Sequence, residues 1–337
     1  MVDTTKERLR YEHSFFNCRN IQLSLALQDW GIPVELLYYN AWESTSDIYE
    51  HLYVKKSKPW FYASPCLEPA DLELIEVPFE RVPYTCYDDI APLLKEADSA
   101  TRAIFLWVIC GEVPYARPEK FGSPEAEHSI WIRGWAAEER PGVSLGYYVR
   151  DMYPEYEGTV SEEDIRRMCE DPRIREEDRK AFILRNREQP ETVDVERIME
   201  RYTDRMRVLE DDLSFYDTVC TFAASGDAGP FADLTELYDC HAHAFKFIAG
   251  SRYVFSCFVE AVEGIGERAH LLRDIARKAD ALKNVFLMAV HSGRADAKAI
   301  IRMCSGLQKL EYQWKNSGHN RLNCHLPNLL TSGSIIN

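Results

Sequence analysis

Hydrophobic and polar positions change rhythm part-way along the chain. Over residues 15–31, FFNCRNIQLSLALQDWG, apolar side chains recur at three- and four-residue steps through Ile21 and Leu25 and through Leu23, Leu27 and Trp30. That spacing predicts a helix that is apolar over most of its circumference and therefore buried. Gly31 suits the left-handed residue that follows a helix end. LELIEVP (72–78), RAIFLWVI (102–109), HSIWIRGW (128–135) and VSLGYYVRD (143–151) carry β-branched and aromatic residues between turn signals, and each predicts a strand. The last two flank AAEERPG and predict a hairpin.

Past residue 160 the texture turns charged and helical. Val195, Met199, Tyr202, Met206, Leu209, Leu213, Tyr216 and Cys220 alternate steps of four and three, which predicts one long amphipathic helix. Such a seam could pack within the chain or serve a homodimer. In TVSEEDIRRMCEDP, Ser161 is followed three residues later by Asp164, a capping pattern. Further helices fit residues 231–248, 252–263, 266–292 and 294–315. The expectation is an α+β chain: residues 1–160 forming a central helix with an antiparallel sheet, and residues 161–330 forming an all-α domain.

Composition narrows the function classes. At 337 residues and 46% hydrophobic, the chain can bury the cores of two domains. The formal net charge of -15 argues against a broad nucleic-acid surface, which needs clustered Lys and Arg. No apolar run approaches the ~20 residues that span a bilayer, so no membrane is expected. The 10 cysteines include no CxxC pair, and MVDTTKERLRYEH lacks a secretory apolar stretch. Reduced thiols in a cytoplasmic protein are the simplest reading. Asp239-Cys240-His241-Ala242-His243 and Cys324-His325 offer metal-ligand types but no completed set, so neither a metal nor an organic cofactor is expected.

Cys18 falls where the buried helix should begin, and a helix N-terminus favours a thiolate through its unpaired N–H groups and partial positive charge. A nucleophilic thiol also needs a base, itself oriented by a carboxylate or amide. His128 opens one hairpin strand and Asp151 closes the other, 23 positions later, so antiparallel pairing makes them neighbours. Each residue alone has a commoner structural explanation, since cysteines on apolar helices are mostly core thiols. Their conjunction, a Cys on an early helix with His and Asp on a later hairpin, is the papain arrangement.

The runs NCRNIQLSLALQDWGIPVELLYYNAWEST, RAIFLWVICGEVPYARPE, EHSIWIRGWAAE and GYYVRDMYPEYEGTVSEEDI resemble the butirosin biosynthesis protein H-like family, papain-like cysteine acyltransferases related to bacteriocin-processing cysteine peptidases. FADLTELYDCHAHAFKFIAGSRYVFSCFVEAVEG resembles the helical domain that follows in such proteins. The resemblance implies a papain-like first domain and transfer of an acyl group from a carrier-protein thioester to an amine or hydroxyl acceptor in natural-product assembly. The partner would be an acyl or peptidyl carrier protein, whose phosphopantetheine arm comes with the donor. The resemblance places the nucleophile on Cys18, the base on His128 and the acid on Asp151.

This chain departs from the family pattern in having Asn17 before the cysteine, Asn20 after it, and a glycine-free NAWESTSDIYEHLY segment. The Cys18 N–H is the natural oxyanion donor, and Asn17 or Asn20 is the candidate for a second. Glu12, six residues before Cys18, is a poor donor when ionised. Tyr38, Tyr39 and Trp42 are candidates to line an acyl or pantetheine channel, although core packing is the commoner fate of such aromatics. A hydrolase with the same triad (thioesterase or peptidase) and a non-catalytic papain-like binding protein are the alternatives.

Overall fold

The computed structural model describes residues 4–62, 64–116, 123–136, 145–186 and 193–317. Cys324 and His325 lie outside the described residues. The chain divides into two compact units, one of Phe16–Val34 and Leu67–Val193, the other of Met1–Phe15, Glu35–Cys66 and Asp194–Asn337.

The first unit is α+β. Its helices are α2 (Cys18–Asp29), α4 (Tyr87–Lys95) and α5 (Glu162–Cys169). Its strands are β1 (Phe79–Pro83), β2 (Arg102–Ile109), β3 (Glu127–Ala136), β4 (Gly146–Met152), β5 (Glu155–Ser161) and β6 (Lys180–Arg185), which form a six-stranded sheet in the order β1-β6-β2-β3-β4-β5, antiparallel throughout. The expected hairpin is present as β3 and β4, and β2 pairs on the other side of β3.

Strand period sorts the side chains of this sheet. Ile104, Leu106 and Val108 of β2 and Ile130 and Ile132 of β3 join Ile90 and Leu94 of α4 and Ile165 and Met168 of α5 in one core. The alternate residues Phe105 and Trp107 lie beneath Arg19 of α2, so α2 covers the opposite face. Ile21, Leu23, Leu25 and Leu27 of α2 are all buried, each contributing about 1.5–3 kcal/mol by removal from water. Ser161 caps α5 by accepting from the Asp164 amide at 3.1 Å.

The segment 72–78 is not a strand. Pro69–Ile75 winds as a 3-10 helix, because Pro69 presets the first turn and Asp71 accepts from the Glu68 amide at 2.9 Å. Leu72, Leu74 and Ile75 are still buried, because a short apolar run can bury itself as a helical turn as well as in extended form.

The second unit is helical, with α1 (Thr4–Phe15), α3 (Thr45–Tyr49), α6 (Val195–Val208), α7 (Ser214–Ser225), α8 (Leu234–Glu263), α9 (Glu267–Ser292) and α10 (Ala297–Asn316). Here the long helix predicted over 195–220 is broken into α6 and α7. Asp211 causes the break: its carboxylate accepts from the Thr45 amide at 2.7 Å, the Thr45 hydroxyl at 2.6 Å and the Leu213 amide at 3.0 Å. Leu213 sits in the left-handed region at φ 60, which ends helical propagation.

The two helices predicted over 231–263 are instead one. Gly250 is internal to α8 because α1 crosses there; a Cβ on it would stand 2.5 Å from that of Phe15. Arg252 of α8 is fully buried, donating to Glu311 at 2.9 Å and to the Glu43 carbonyl at 2.7 Å beneath the Trp42 ring.

The division differs from a single cut near residue 160. The sheet runs on to β6, which lies between β1 and β2 and cannot be separated from them without unpairing both. Residues 1–15 and 35–66 group with the helical unit. Among the described residues no helix is long and apolar enough to cross a membrane, and no group of three His, Cys, Asp or Glu side chains is placed to hold a metal ion.

Candidate active site

Asn17 sets where α2 begins. Its extended backbone, φ -72 and ψ 170, lets its side chain accept from the Asn20 amide at 2.9 Å while its carbonyl accepts from Ile21 at 3.1 Å. Cys18 is therefore the first helical residue, in the turn whose N–H groups have no preceding carbonyl to meet.

Sheet register supplies the other two groups. β3 pairs with β4 from Ala136 opposite Gly146 to Trp131 opposite Arg150, with a bulge between Ile132 and Gly134. Residues 127–130 extend past that pairing and keep only β2, where His128 faces Val108. Freed from the β4 ladder, the Ser129 amide donates to the Cys18 sulfur at 3.3 Å. Asp151, near the end of β4, comes alongside His128: its carboxylate Oδ2 accepts from Nε2 of the imidazole at 2.7 Å. That leaves Nδ1 for the thiol, and Cys18 and His128 share a side-chain hydrogen bond.

Asp151 is held from three directions. Besides His128, the Tyr115 hydroxyl donates to Oδ2 at 2.8 Å and the Tyr153 amide to Oδ1 at 3.1 Å. Tyr115 is itself stacked on Tyr156, with ring centroids 3.9 Å apart. His128 and Asp151 are buried, whereas Cys18 is only half-buried, so the sulfur is the member of the trio that solvent reaches.

The electrostatics favour a thiolate and an imidazolium. Burial opposes ionisation of Cys18, but the hydrogen bond and charge of His128, the Ser129 amide and Arg19 outweigh it and bring the thiol below its ordinary 9.0. Burial likewise opposes charge on His128, yet the hydrogen bonds to Asp151 and Cys18 raise it from 6.5 to about 10. Both shifts act in the same direction, toward the ionised pair.

The remaining candidates fall in different places. The Asn17 oxygen is committed to the helix cap, which leaves its Nδ2 as the group it can offer. Asn20 lies in the same first turn. Tyr38, Tyr39 and Trp42 belong to the helical unit, where all three are buried. There the Tyr38 hydroxyl donates to Glu12 at 2.7 Å and Trp42 stacks on Trp314 at 5.8 Å. An open cleft at the other end of α2 is lined by Asp29, Trp30, Arg133 and Arg150, but its arginines are already bonded to Asp29 and Glu157.

Sequence reasoning missed Ser129, Gln22, Arg19 and Tyr115. Gln22 is buried, accepts from the Ser129 hydroxyl at 2.8 Å and donates to the Ser129 carbonyl at 2.5 Å. Its position four residues after Cys18, one turn along the same helix face, was the available signal; Tyr115 had none.

No family model matches the chain. A protein of Niallia circulans named ribostamycin:4-(gamma-L-glutamylamino)-(S)-2-hydroxybutanoyl-[BtrI acyl-carrier protein] 4-(gamma-L-glutamylamino)-(S)-2-hydroxybutanoate transferase is 24% identical over 263 residues, covering 78% of this chain and 82% of that protein. The resemblance to the butirosin biosynthesis protein H-like family, read first from short runs of residues, is thereby borne out over most of the chain.

Proposed function

We propose that this protein is a papain-like cysteine acyltransferase that moves an acyl group from a carrier-protein thioester to an amine or hydroxyl acceptor through an acyl-Cys18 intermediate. The observation that carries the reading is the hydrogen-bonded Cys18–His128 pair at a helix start with Asp151 behind it. The named activity of the Niallia circulans relative, transfer from an acyl-carrier protein, supports thioester chemistry over peptide cleavage.

The chemistry balances in two steps. The Cys18 thiolate attacks the thioester carbonyl, and the Cys18 N–H with the Asn17 or Asn20 side chain faces the oxyanion. Collapse breaks the bond to the carrier's pantetheine sulfur, which leaves as the thiol after taking the His128 proton. The acceptor then attacks the acyl-enzyme, its proton passes to the now neutral His128, and the Cys18 thiolate departs. Asp151 fixes the imidazole so that one nitrogen serves the sulfur throughout. No metal or organic cofactor takes part, and the pantetheine arm arrives with the donor.

An acidic carrier protein requires basic residues not already neutralised. In the segment 171–180, Arg173 and Arg175 are bonded to Glu112, Glu125, Asp171 and Glu127, which argues against that patch as its dock. Incubation with an acyl-carrier thioester and a series of amines should give amide and an acyl adduct on Cys18 visible by mass spectrometry. Free acid at an amine-independent rate would make the protein a hydrolase, and absence of any adduct would remove Cys18 from the chemistry.

A further inference from the structure

Arg19 follows the nucleophile and points into the interface between α2 and the sheet. Its Nε donates to the Ser129 hydroxyl at 2.9 Å. Its guanidinium lies over Trp107 at 4.3 Å, Phe182 at 5.3 Å and Phe105 at 5.9 Å. Nη2 is buried with no hydrogen-bond partner, and among the described residues no carboxylate is ion-paired with this arginine. A cation in such surroundings is costly, because aromatic faces replace only part of its hydration. Something of opposite charge should compensate it.

The neighbouring groups narrow the choice. On Arg19 act the Cys18 thiol from α2, Arg81 from β1, Asp178 from the turn before β6 and Tyr84 from the turn after β1. On Cys18 act His128 and the Ser129 amide from β3 together with Arg19, while Cys110 lies near enough to feel the sulfur's charge and that of Asp151. Burial brings Arg19 down to about 10 and Cys18 is foremost among the groups opposing that fall, so the guanidinium remains charged at neutral pH. Ser129 joins the two residues physically. Its hydroxyl accepts from Arg19 and donates to Gln22, while its amide donates to the sulfur.

We propose that Arg19 is the half-buried counter-charge of the Cys18 thiolate and, through Ser129, the brace that keeps the Ser129 amide on the sulfur. It is a positioning residue for the nucleophile, and the assignment rests on Cys18 being that nucleophile. The charge acts at a fixed place because three aromatic rings and one hydrogen bond leave the guanidinium no other rotamer to occupy cheaply. His128 and Arg19 then both favour the thiolate, the first exchanging protons with the reaction and the second never doing so.

The test is the pH dependence of Cys18 alkylation by iodoacetamide, followed at that residue by mass spectrometry in the full chain. In Arg19→Gln, which keeps a donor for Ser129 but no charge, the midpoint should rise by about one pH unit, a roughly tenfold slower reaction at pH values below the wild-type midpoint. Arg19→Lys should recover most of that shift. Unchanged profiles in both variants overturn the proposal, as does a Lys variant that behaves like Gln, which would leave bracing without charge. Should Arg19→Gln not fold, arginine side-chain 15N NMR of the wild-type chain decides. The Arg19 signal should titrate at the alkylation midpoint and cease to do so in Cys18→Ser; a signal that never follows the thiol overturns the proposal. A wild-type Cys18 no more reactive than the other thiols refutes the nucleophile instead, and so separates the two failures.

Discussion

Two cysteine–histidine neighbourhoods in this chain use the same residue types, and their surroundings push ionisation in opposite directions. In the sheet unit, Cys18 is lowered below its ordinary value and His128 is raised to about 10. In the helical unit, burial pushes Cys240 up to about 12 and the adjacent His241 down to about 3. Both histidines are buried, at 4% and 1% exposure, so burial alone does not separate them. What separates them is company. His128 meets a carboxylate and a thiol, whereas His241 meets the Tyr53 hydroxyl and the rings of Phe222 and Phe286. Desolvation sets the default for a buried imidazole, and only specific partners reverse it.

The strongest way to break the comparison is to delete the proposed reacting groups. Cys18→Ala should abolish transfer, and His128→Ala should slow it by about 10²–10⁴-fold in a carrier-thioester assay. Cys240→Ala should leave the rate per folded molecule where it was. A large loss from the Cys240 variant would erase the distinction between the two regions. Asp151→Asn keeps the shape but weakens control of the imidazole, so kcat should fall about tenfold to a hundredfold, with KM for the donor little changed.

Stability should respond in the reverse order. His241→Ala removes a packed ring and should cost about 2–4 kcal/mol in urea denaturation. The pH dependence carries a sign that sharpens the contrast. His241 is lowered from 6.5 to about 3, so the unfolded chain binds its proton more readily; the stability it confers is present above about pH 6.5 and is lost as pH falls toward 3. A His241→Gln chain should show a flatter urea midpoint over that acid range. His128 is raised, so its stabilising contribution is complete below about pH 6.5 and disappears as pH climbs through about 10. The smallest effect should come from Tyr115→Phe, which removes one donor to Asp151; about 1 kcal/mol corresponds to a several-fold loss of rate.

Local pattern was enough to read much of this fold. The three-and-four spacing of leucines gave α2, β-rich runs gave β2, β3 and β4, and Ser161 with Asp164 gave the start of α5. The order of Cys18, His128 and Asp151 was also legible, because a hairpin joins the start of one strand to the end of the next whatever lies around it. β6 escaped notice: Ala181–Leu184 is apolar but short, and it sits among charged residues.

What only the tertiary structure decided are the outcomes that depend on partners far away in the chain. Asp211 ends a helix by capturing Thr45, 166 residues earlier. Gly250 stays helical because Phe15 needs the space of its missing side chain. Tyr38, Tyr39 and Trp42 entered a helical core, and Arg19 acquired its place over Trp107 from a sheet that sequence could predict strand by strand but not assemble. A sequence determines by itself which face of each element is apolar, since that follows from periods of 3.6 and 2. It does not display which distant side chain fills the remaining valence of a carboxylate, an amide or a sulfur. Those choices are made only when the elements pack, and in this protein they distinguish His128 from His241.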